Sequence, residues 1–148
     1  MLKIEKVSLK DLDEICAFEI RVFDENNFRL SRNIFRYHLK KKTFFLKAIL
    51  DKKIVGYLML FAYKNKSSTR LYSIGVDQSF TRQKIASTLI EAAIYRSKKL
   101  GKNKIFLEVR QDNFAAIALY NKLGFVIIKE LKGYYPFNGN GYKMALNL

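Results

Sequence analysis

The chain contains little cysteine, histidine or proline, and each shortage excludes a class of protein. Cys16 is the single cysteine in 148 residues, so an intramolecular disulfide is impossible. Without a basic neighbour to favour its thiolate, we expect Cys16 to be a small buried side chain rather than a nucleophile. His38 is the single histidine, which leaves a catalytic triad or a metal site such as zinc without support. One proline and seven glycines are too few for a collagen-like or low-complexity chain.

Long apolar runs are also missing. The longest, Ile54 to Tyr63, is about ten residues, whereas a membrane-spanning helix needs ~20. The first six residues contain no apolar signal core. We therefore expect a cytoplasmic protein that does not associate with membranes. The length is typical of one domain, so residues 1–148 are predicted to form a single domain.

Positive charge is abundant. The chain has 28 lysines and arginines against 13 acidic residues, a formal net charge of +15. Clusters of lysine occur at 40–42 and 98–104. Two interpretations stay open: solvated surfaces in a lysine-rich protein, or a field that attracts RNA, phosphate-bearing ligands or an acidic substrate.

Hydrophobic periodicity alternates between strand and helix patterns along the chain, which predicts a mixed α/β fold. The first predicted helix begins at Ser8 or Asp11, and the polar turn Asp24–Asn27 follows it. Its core-facing residues are expected to be Leu12, Ile15, Phe18, Ile20 and Phe23. Further helices are predicted from about Ser31 to Leu39, at 83–100 and at 113–123. Strands are predicted at 1–8, 43–50, 54–63, 71–76, 104–109, 125–131 and 142–146.

Residues 107–125 combine a strand, a polar turn, a helix and a glycine stop. Alternation in the strand separates Glu108 from Leu107 and Val109. In the helix, Tyr120 lies on an apolar stripe with helical spacing. A carboxylate at a strand end and a phenol one short helix later can reach the same cleft. The sequence therefore pairs a potential base with a potential acid.

The run from Glu108 to Phe125 resembles the last motif region of the GNAT-superfamily N-acetyltransferases, and most closely the ribosomal-protein-alanine N-acetyltransferase branch. The upstream runs Leu71–Asp77 and Arg82–Ala86 resemble the acetyl-CoA-binding half of the same fold. Together these similarities cover roughly residues 54–148. They imply an α/β (α+β) GNAT domain with a mixed, mostly antiparallel sheet of about six to seven strands and about four helices.

The resemblance implies acetyl-CoA as the acetyl donor. Backbone amides at a helix start would bind its pyrophosphate, and the preceding strand would bind the pantetheine arm. Thr81 and Lys84 depart from the usual family residues, which are Gln or Arg and Gly. We expect Lys84 to adopt the right-handed conformation of a first helical turn, so that the N–H donors survive. The implied coenzyme residues are Ile74, Val76, Arg82, Gln83, Lys84, Ile85, Ala86 and Ser87.

By the same resemblance, Glu108 is the general base and Tyr120 the general acid, while the Val76 N–H donates to the thioester carbonyl. Asn113 is either a helix cap or a contact to the pantetheine arm. The alternatives are that Glu108 pairs with Arg110 or a lysine, and that Tyr120 only packs in its apolar stripe. The segments 133–136 and 138–141 resemble a substrate-side loop of the family. Tyr134 and Tyr135 are expected to line the acceptor groove there; the alternative is that both tyrosines only pack on the solvent side.

The acceptor is expected to be a protein N-terminal α-amine, because its pKa near 7.7–8.0 makes deprotonation easier than that of lysine. Residues 26–31 differ from the Pro-Trp pair of the ribosomal-protein enzymes, which leaves a small amine or an amino sugar open. Two other classes stay open: a basic nucleic-acid-binding module without activity, and an inactive coenzyme A sensor. Nucleic acid is otherwise expected only in a ribosomal context. The chain is expected to be a monomer or a homodimer.

Overall fold

The computed structural model describes residues 1–24 and 28–148, with the backbone but not the side chains of 81–83. Within these residues no helix has both the length and the apolar character needed to cross a bilayer. Short 3-10 helices occur at Leu9–Asp11 and Gln78–Gln83. The described residues form seven strands and four α-helices: β1 (Lys3–Lys6), α1 (Leu12–Val22), α2 (Arg32–Lys41), β2 (Phe44–Leu50), β3 (Lys53–Ala62), β4 (Ser68–Val76), α3 (Ile85–Lys99), β5 (Lys104–Arg110), α4 (Phe114–Lys122), β6 (Val126–Tyr135) and β7 (Gly139–Asn147).

The strands form one sheet in the order β1-β2-β3-β4-β5-β7-β6. Only the β4–β5 pair is parallel among the described strands, and all the other neighbours are antiparallel. Helix α3 makes the crossover that a parallel pair requires. The predicted fold class, a mixed and mostly antiparallel sheet flanked by helices, is confirmed.

Both faces of the sheet are covered, and β3 shows why. Its residues from Ile54 to Leu60 are buried without interruption, as expected for a strand with helices on both sides. Leu58 and Leu60 belong to the core under α3, whereas Tyr57 and Met59 belong to the core under α1 and α2. This alternation places α1 and α2 on one face and α3 on the other.

Strand β4 separates from β5 half-way along its length. The two strands pair only where Ser68–Leu71 lies beside Lys104–Leu107. Leu71 and Ser73 pair with adjacent residues of β3, so Tyr72 between them is an extra, unpaired residue of β4. Such a bulge bends a strand and increases its twist. Beyond it, β4 stays paired with β3 as far as Val76, and β5 stays paired with β7. A wedge therefore opens between β4 and β5.

Some predicted boundaries and orientations were wrong. Ile20 is 64% exposed instead of facing the core. Helix α3 begins at Ile85 rather than at 83, because a 3-10 helix occupies Gln78–Gln83. The last two strands are longer than predicted and form a hairpin. The predicted polar turn Asp24–Asn27 lies mostly outside the described residues.

Glu19 connects α1 to the segment that precedes α2. Its side chain is buried, accepts hydrogen bonds of 2.7 Å from both the Leu30 backbone N–H and the Tyr57 hydroxyl, and lies under α1. The Tyr57 hydroxyl is also 2.8 Å from the Ser73 hydroxyl on β4. Burial raises the pKa of Glu19, and the hydrogen bonds and Arg29 oppose that rise only in part. This carboxyl group thus links α1, β3, β4 and the segment around Leu30.

Replacing Glu19 tests this connection. Glu19→Ala removes the acceptor of the Leu30 N–H and leaves the Tyr57 hydroxyl with only the Ser73 oxygen, so it should lower the free energy of unfolding by about 1–3 kcal/mol. Because the folded protein retains the Glu19 proton to higher pH than the unfolded chain, stability should decrease as pH rises above the ordinary value of 4.5. Glu19→Gln should remove that decrease. Urea unfolding over a pH series measures both effects, with exposed Glu5→Gln as the control; an equal pH slope in both Gln variants would contradict the assignment.

Candidate active site

A cavity of about 320 Å³ occupies the wedge between β4 and β5. Its walls come from the separated ends of these strands, from α4, from the end of β6 and from the segment between α1 and α2. The sequence-predicted residues that line it are Ile74, Glu108, Asn113, Tyr120, Tyr134 and Tyr135.

Glu108 is the first residue of β5 beyond its last pair with β4, so its side chain enters the wedge. The side chain is 13% exposed and forms an ion pair with Arg70. Two Arg70 nitrogens, Nε and a terminal one, donate to the same oxygen, Oε1, at 3.0 and 2.7 Å. Oε2 accepts no hydrogen bond from the described residues. One oxygen therefore holds the carboxylate in place while the other is available to a proton donor in the cavity.

The partner of Glu108 differs from the predicted alternatives. Arg110 instead binds Asp112, with Nε to Oδ1 at 3.0 Å. Side chains at 70 and 108 meet because Arg70 lies beside Phe106 in the parallel pair, and Glu108 follows on the same face. Glu108 is thus in an ion pair and also at the cavity wall.

Tyr120 approaches the cavity from α4. It is 5% exposed and packs against Phe125 with ring centroids 5.8 Å apart. Burial raises the pKa of its hydroxyl to about 12. The hydroxyl makes no hydrogen bond to the part of the chain that the structure describes. A buried phenol that stays protonated at neutral pH is suited to give a proton to a departing group.

Asn113 caps α4. Its side-chain oxygen accepts a hydrogen bond from the Ala116 backbone N–H at 3.2 Å, the geometry of a helix N-cap. The same residue lines the cavity. The cap fixes the start of α4, and with it the position of Tyr120.

Aromatic rings form the mouth of the cavity. Phe28 lies 5.6 Å from Tyr134 and 5.2 Å from Tyr135, measured between ring centroids, and the two tyrosines are 5.0 Å apart. The sequence predicted that both tyrosines lie in a loop, but they form the end of β6. Burial raises the pKa of Tyr135, and the neighbouring Tyr134, Glu108 and Tyr120 act in the same direction.

The start of α3 lies at the end of β4, after the 3-10 helix. Among the described side chains none caps it, and its first turn contains no acidic residue, so its first N–H groups can receive an anion. Ile85 is buried in the core, while Ser87 donates to the Lys84 carbonyl oxygen at 3.1 Å. Only the backbone of Ile85 can therefore meet a ligand. Lys84, Ile85, Ala86, Ser87 and Val76 lie outside the cavity lining.

The prediction for Lys84 was wrong in its conformation. Its φ is 55° and its ψ 33°, which is left-handed rather than right-handed. That region suits glycine and costs about 1–2 kcal/mol for other residues. The side chains of residues 81–83 lie outside the described part of the structure, so the contacts predicted for Arg82 and Gln83 stay predictions.

Known proteins share the sequence pattern and the fold of this chain. The model of the Acetyltransferase (GNAT) family matches residues 8–125. The chain belongs to the GNAT family. An N-alpha-acetyltransferase of Saccharolobus solfataricus is 34% identical over 96% of the chain and 90% of its own length. The ribosomal protein bS18-alanine N-acetyltransferase of Escherichia coli is 42% identical over 66 residues, 45% of each chain. A crystal structure of the Escherichia coli ribosomal-protein-S18-alanine enzyme has a TM-score of 0.88 and 27% identity, covering 99% of this chain and 94% of its own.

The sequence predictions missed the residues that line the cavity from outside the GNAT motif regions. Arg70, Phe28 and Leu30 line the cavity. Leu30 carried no recognisable signal, because its position depends on the Glu19 hydrogen bond. Arg70 lies just before the predicted strand at 71–76, and only its positive charge could have indicated that it pairs with Glu108.

Restoring the family glycine at Lys84 separates its backbone role from its charge. Lys84→Gly and Lys84→Asn both tolerate the left-handed conformation, so each should raise the free energy of unfolding, by up to about 1 kcal/mol. Both remove an ammonium from a helix start, and acetyl-CoA should bind about 2–5-fold more weakly at low salt. Thermal unfolding with and without acetyl-CoA measures both quantities. Lys84→Arg is the control that keeps the charge; a loss of stability in Lys84→Gly would contradict the backbone assignment.

Proposed function

We propose that residues 1–148 form one catalytic domain that transfers the acetyl group of acetyl-CoA to a protein N-terminal α-amine. The observation that carries this proposal is the position of Glu108 and Tyr120 on one cavity, at the point where β4 and β5 separate. Membership of the GNAT family supports the reaction type. The names of the relatives support the α-amine as acceptor.

The wedge fits the shape of the donor. Backbone groups of residues 72–76 face away from β3 at every second position and have no partner strand on the β5 side. They can bind the amides of an extended pantetheine arm as another strand would. The uncapped start of α3 can receive the pyrophosphate. Binding would thus depend mainly on the backbone.

Glu108 receives the proton that the acceptor must lose. Its Oε2 takes a proton from the ammonium, directly or through water, while Arg70 holds Oε1. The neutral amine then attacks the thioester carbonyl carbon, and the Val76 N–H donates to the carbonyl oxygen as charge develops on it. As the carbon–sulfur bond breaks, Tyr120 gives its proton to the thiolate, and the second proton that the attacking nitrogen must lose returns through water to the Tyr120 oxygen. Glu108 releases the first proton to solvent. The products are the acetylated amine and free coenzyme A.

The acceptor class follows from the cost of deprotonation. An α-amine titrates near 7.7–8.0 and a lysine near 10.4, a difference of about 3–4 kcal/mol at 1.36 kcal/mol per unit. A single carboxylate removes a proton more readily from the more acidic ammonium, so the α-amine is favoured. Tyr134 and Tyr135, with Phe28, would line the path of the first residues of the acceptor.

Two substitutions test the proton steps. Glu108→Gln and Tyr120→Phe should each lower kcat about 10²–10⁴-fold, the usual range for general base or acid assistance. Both keep the cavity shape, so acetyl-CoA at 100 times its Kd should still stabilise each by about 2.7 kcal/mol. Since the Tyr120 pKa is about 12, the phenol stays protonated through ordinary assay conditions, and Tyr120→Phe should lower kcat by the same factor at pH 7 and pH 9. Unchanged kcat in both variants would overturn the mechanism.

An acceptor comparison tests the substrate class. We expect an Ala-initiated peptide to be acetylated at least about tenfold faster than the same peptide with a blocked N-terminus and one internal lysine, because the α-amine is deprotonated more easily. Mass spectrometry of the products identifies the modified nitrogen. Polyamines and amino sugars serve as the competing acceptors. Preference for any of these over the free N-terminus would reject the proposed acceptor while leaving acetyl transfer intact.

A further inference from the structure

A second, strongly basic surface lies away from the active site. Two cavities, of about 450 Å³ and 220 Å³, adjoin where both are lined by Lys42, Thr43, Phe44 and Arg96. We call this continuous surface the lysine groove. It runs between the end of α2, the end of β3 and the last turn of α3. Arg96 follows Lys84 by twelve residues, or about 18 Å of helix. The groove is therefore remote from the start of α3, where the pyrophosphate is proposed to bind.

The lysine groove contains cations and no carboxylates. Its charged residues are Lys6, Lys41, Lys42, Lys64, Arg96 and Lys102. None of them forms an ion pair with the described residues. The active-site cavity differs, because there Arg70 is paired with Glu108 and Arg110 with Asp112.

A structural role explains only part of this charge. Arg96 lies in the last turn of α3, where a cation interacts favourably with the helix dipole, and its guanidinium covers the Phe44 ring. Lys102 donates to the carbonyl oxygens of Tyr63 and Lys66 at 2.7 and 2.6 Å, which fixes the turn after β3. Lys42 and Lys64 have no such contact among the described residues. Their ammonium groups are available to an anion.

Aromatic rings accompany these cations. Tyr63 is 45% exposed and lines the groove, with Lys41 5.8 Å and Lys66 5.9 Å from its ring centroid. Phe61 stacks on His38 at 4.9 Å, and both rings line the groove. Phe61 also stacks at 4.2 Å on Tyr72, which lines the active-site cavity. The exposed Tyr63 ring beside unpaired lysines suits a ligand that has both phosphates and flat bases. A free phosphate would need only the lysines.

We propose that the lysine groove binds single-stranded RNA. The phosphates contact Lys42, Lys64 and Arg96, and a base stacks on Tyr63. Stacking on aromatic rings with backbone contacts to lysine and arginine is the general mode of binding for single strands. Duplexes would not offer an unstacked base to Tyr63. This binding is separate from acetyl transfer, since no residue lines both the groove and the active-site cavity, although the two surfaces touch where Phe61 stacks on Tyr72.

The test compares two triple variants of equal charge. The first is Lys42→Gln, Lys64→Gln and Arg96→Gln. The matched control is Lys53→Gln, Lys129→Gln and Lys132→Gln; Lys53 begins β3 at the end opposite the groove, and the other two lie on the edge strand β6. Fluorescence anisotropy with a single-stranded RNA of about twelve nucleotides gives Kd at several salt concentrations.

The groove variant should lose at least about tenfold in affinity, and its slope of log K against log salt should fall by about 2, near 0.7 for each lost phosphate contact. The control should retain the slope within experimental error. Tyr63→Ala should weaken binding at least about fivefold, the lower end of the range for one stacked base. His38 is the single histidine and lies on the groove, so its NMR signal should shift with RNA in the natural chain.

Several results would overturn the proposal. These are equal loss in the control triple, equal binding of inorganic polyphosphate with no effect of Tyr63→Ala, or an unchanged His38 signal at saturating RNA. Acetyl-transfer rates measured on the same variants should be unchanged. This readout shows that the groove variant is folded, and it separates a failure of RNA binding from a failure of the enzyme.

Discussion

The bulge at Tyr72 is the constraint on which the site depends. Without it, β4 and β5 would continue to pair beyond Leu71 and Leu107, and their backbone groups would satisfy each other. Because β4 bends away, its outer edge has no strand partner, and Glu108 faces an open wedge instead of a neighbouring strand. An unpaired strand edge inside a domain is costly unless something binds it. The fold therefore maintains a binding site for an extended ligand where the sheet is incomplete.

The Arg70–Glu108 ion pair stabilises a partly buried carboxylate in this wedge and leaves one of its oxygens available for reaction. A partly buried carboxylate needs a partner, because an unpaired one would lose its hydration without compensation. Arg70 is that partner, and it donates both of its hydrogen bonds to one oxygen of Glu108. These bonds also restrict the side chain of Glu108 to one orientation. Burial has the complementary effect on Tyr120, whose proton is retained because the phenolate is disfavoured. Burial thus keeps the proposed acid protonated, while the ion pair fixes the orientation of the proposed base.

Local patterns in the sequence predicted the parts of the site that lie within one continuous stretch. Alternation on β5 and helical spacing on α4 placed Glu108 and Tyr120 on a common cleft, and the turn chemistry placed Asn113 at the helix cap. Contacts that depend on register between distant strands could not be derived in this way. Arg70 meets Glu108 only because β4 and β5 are parallel with one particular register. Lys84 was misjudged because its left-handed φ depends on the 3-10 helix before it, which periodicity does not reveal.

The active-site cavity and the lysine groove differ in charge as their proposed ligands do. An acceptor amine arrives as an ammonium, and an unpaired cation about 4 Å away would repel it by about 4 kcal/mol at an effective dielectric constant of 20. The arginines of the active-site cavity are paired, so this repulsion is reduced where the acceptor enters. A net charge of +15 requires that many cations elsewhere have no acidic partner. The lysine groove holds six of these cations beside the exposed Tyr63 ring. Solvation of a charged surface does not require this combination, but a single-stranded polyanion can use it.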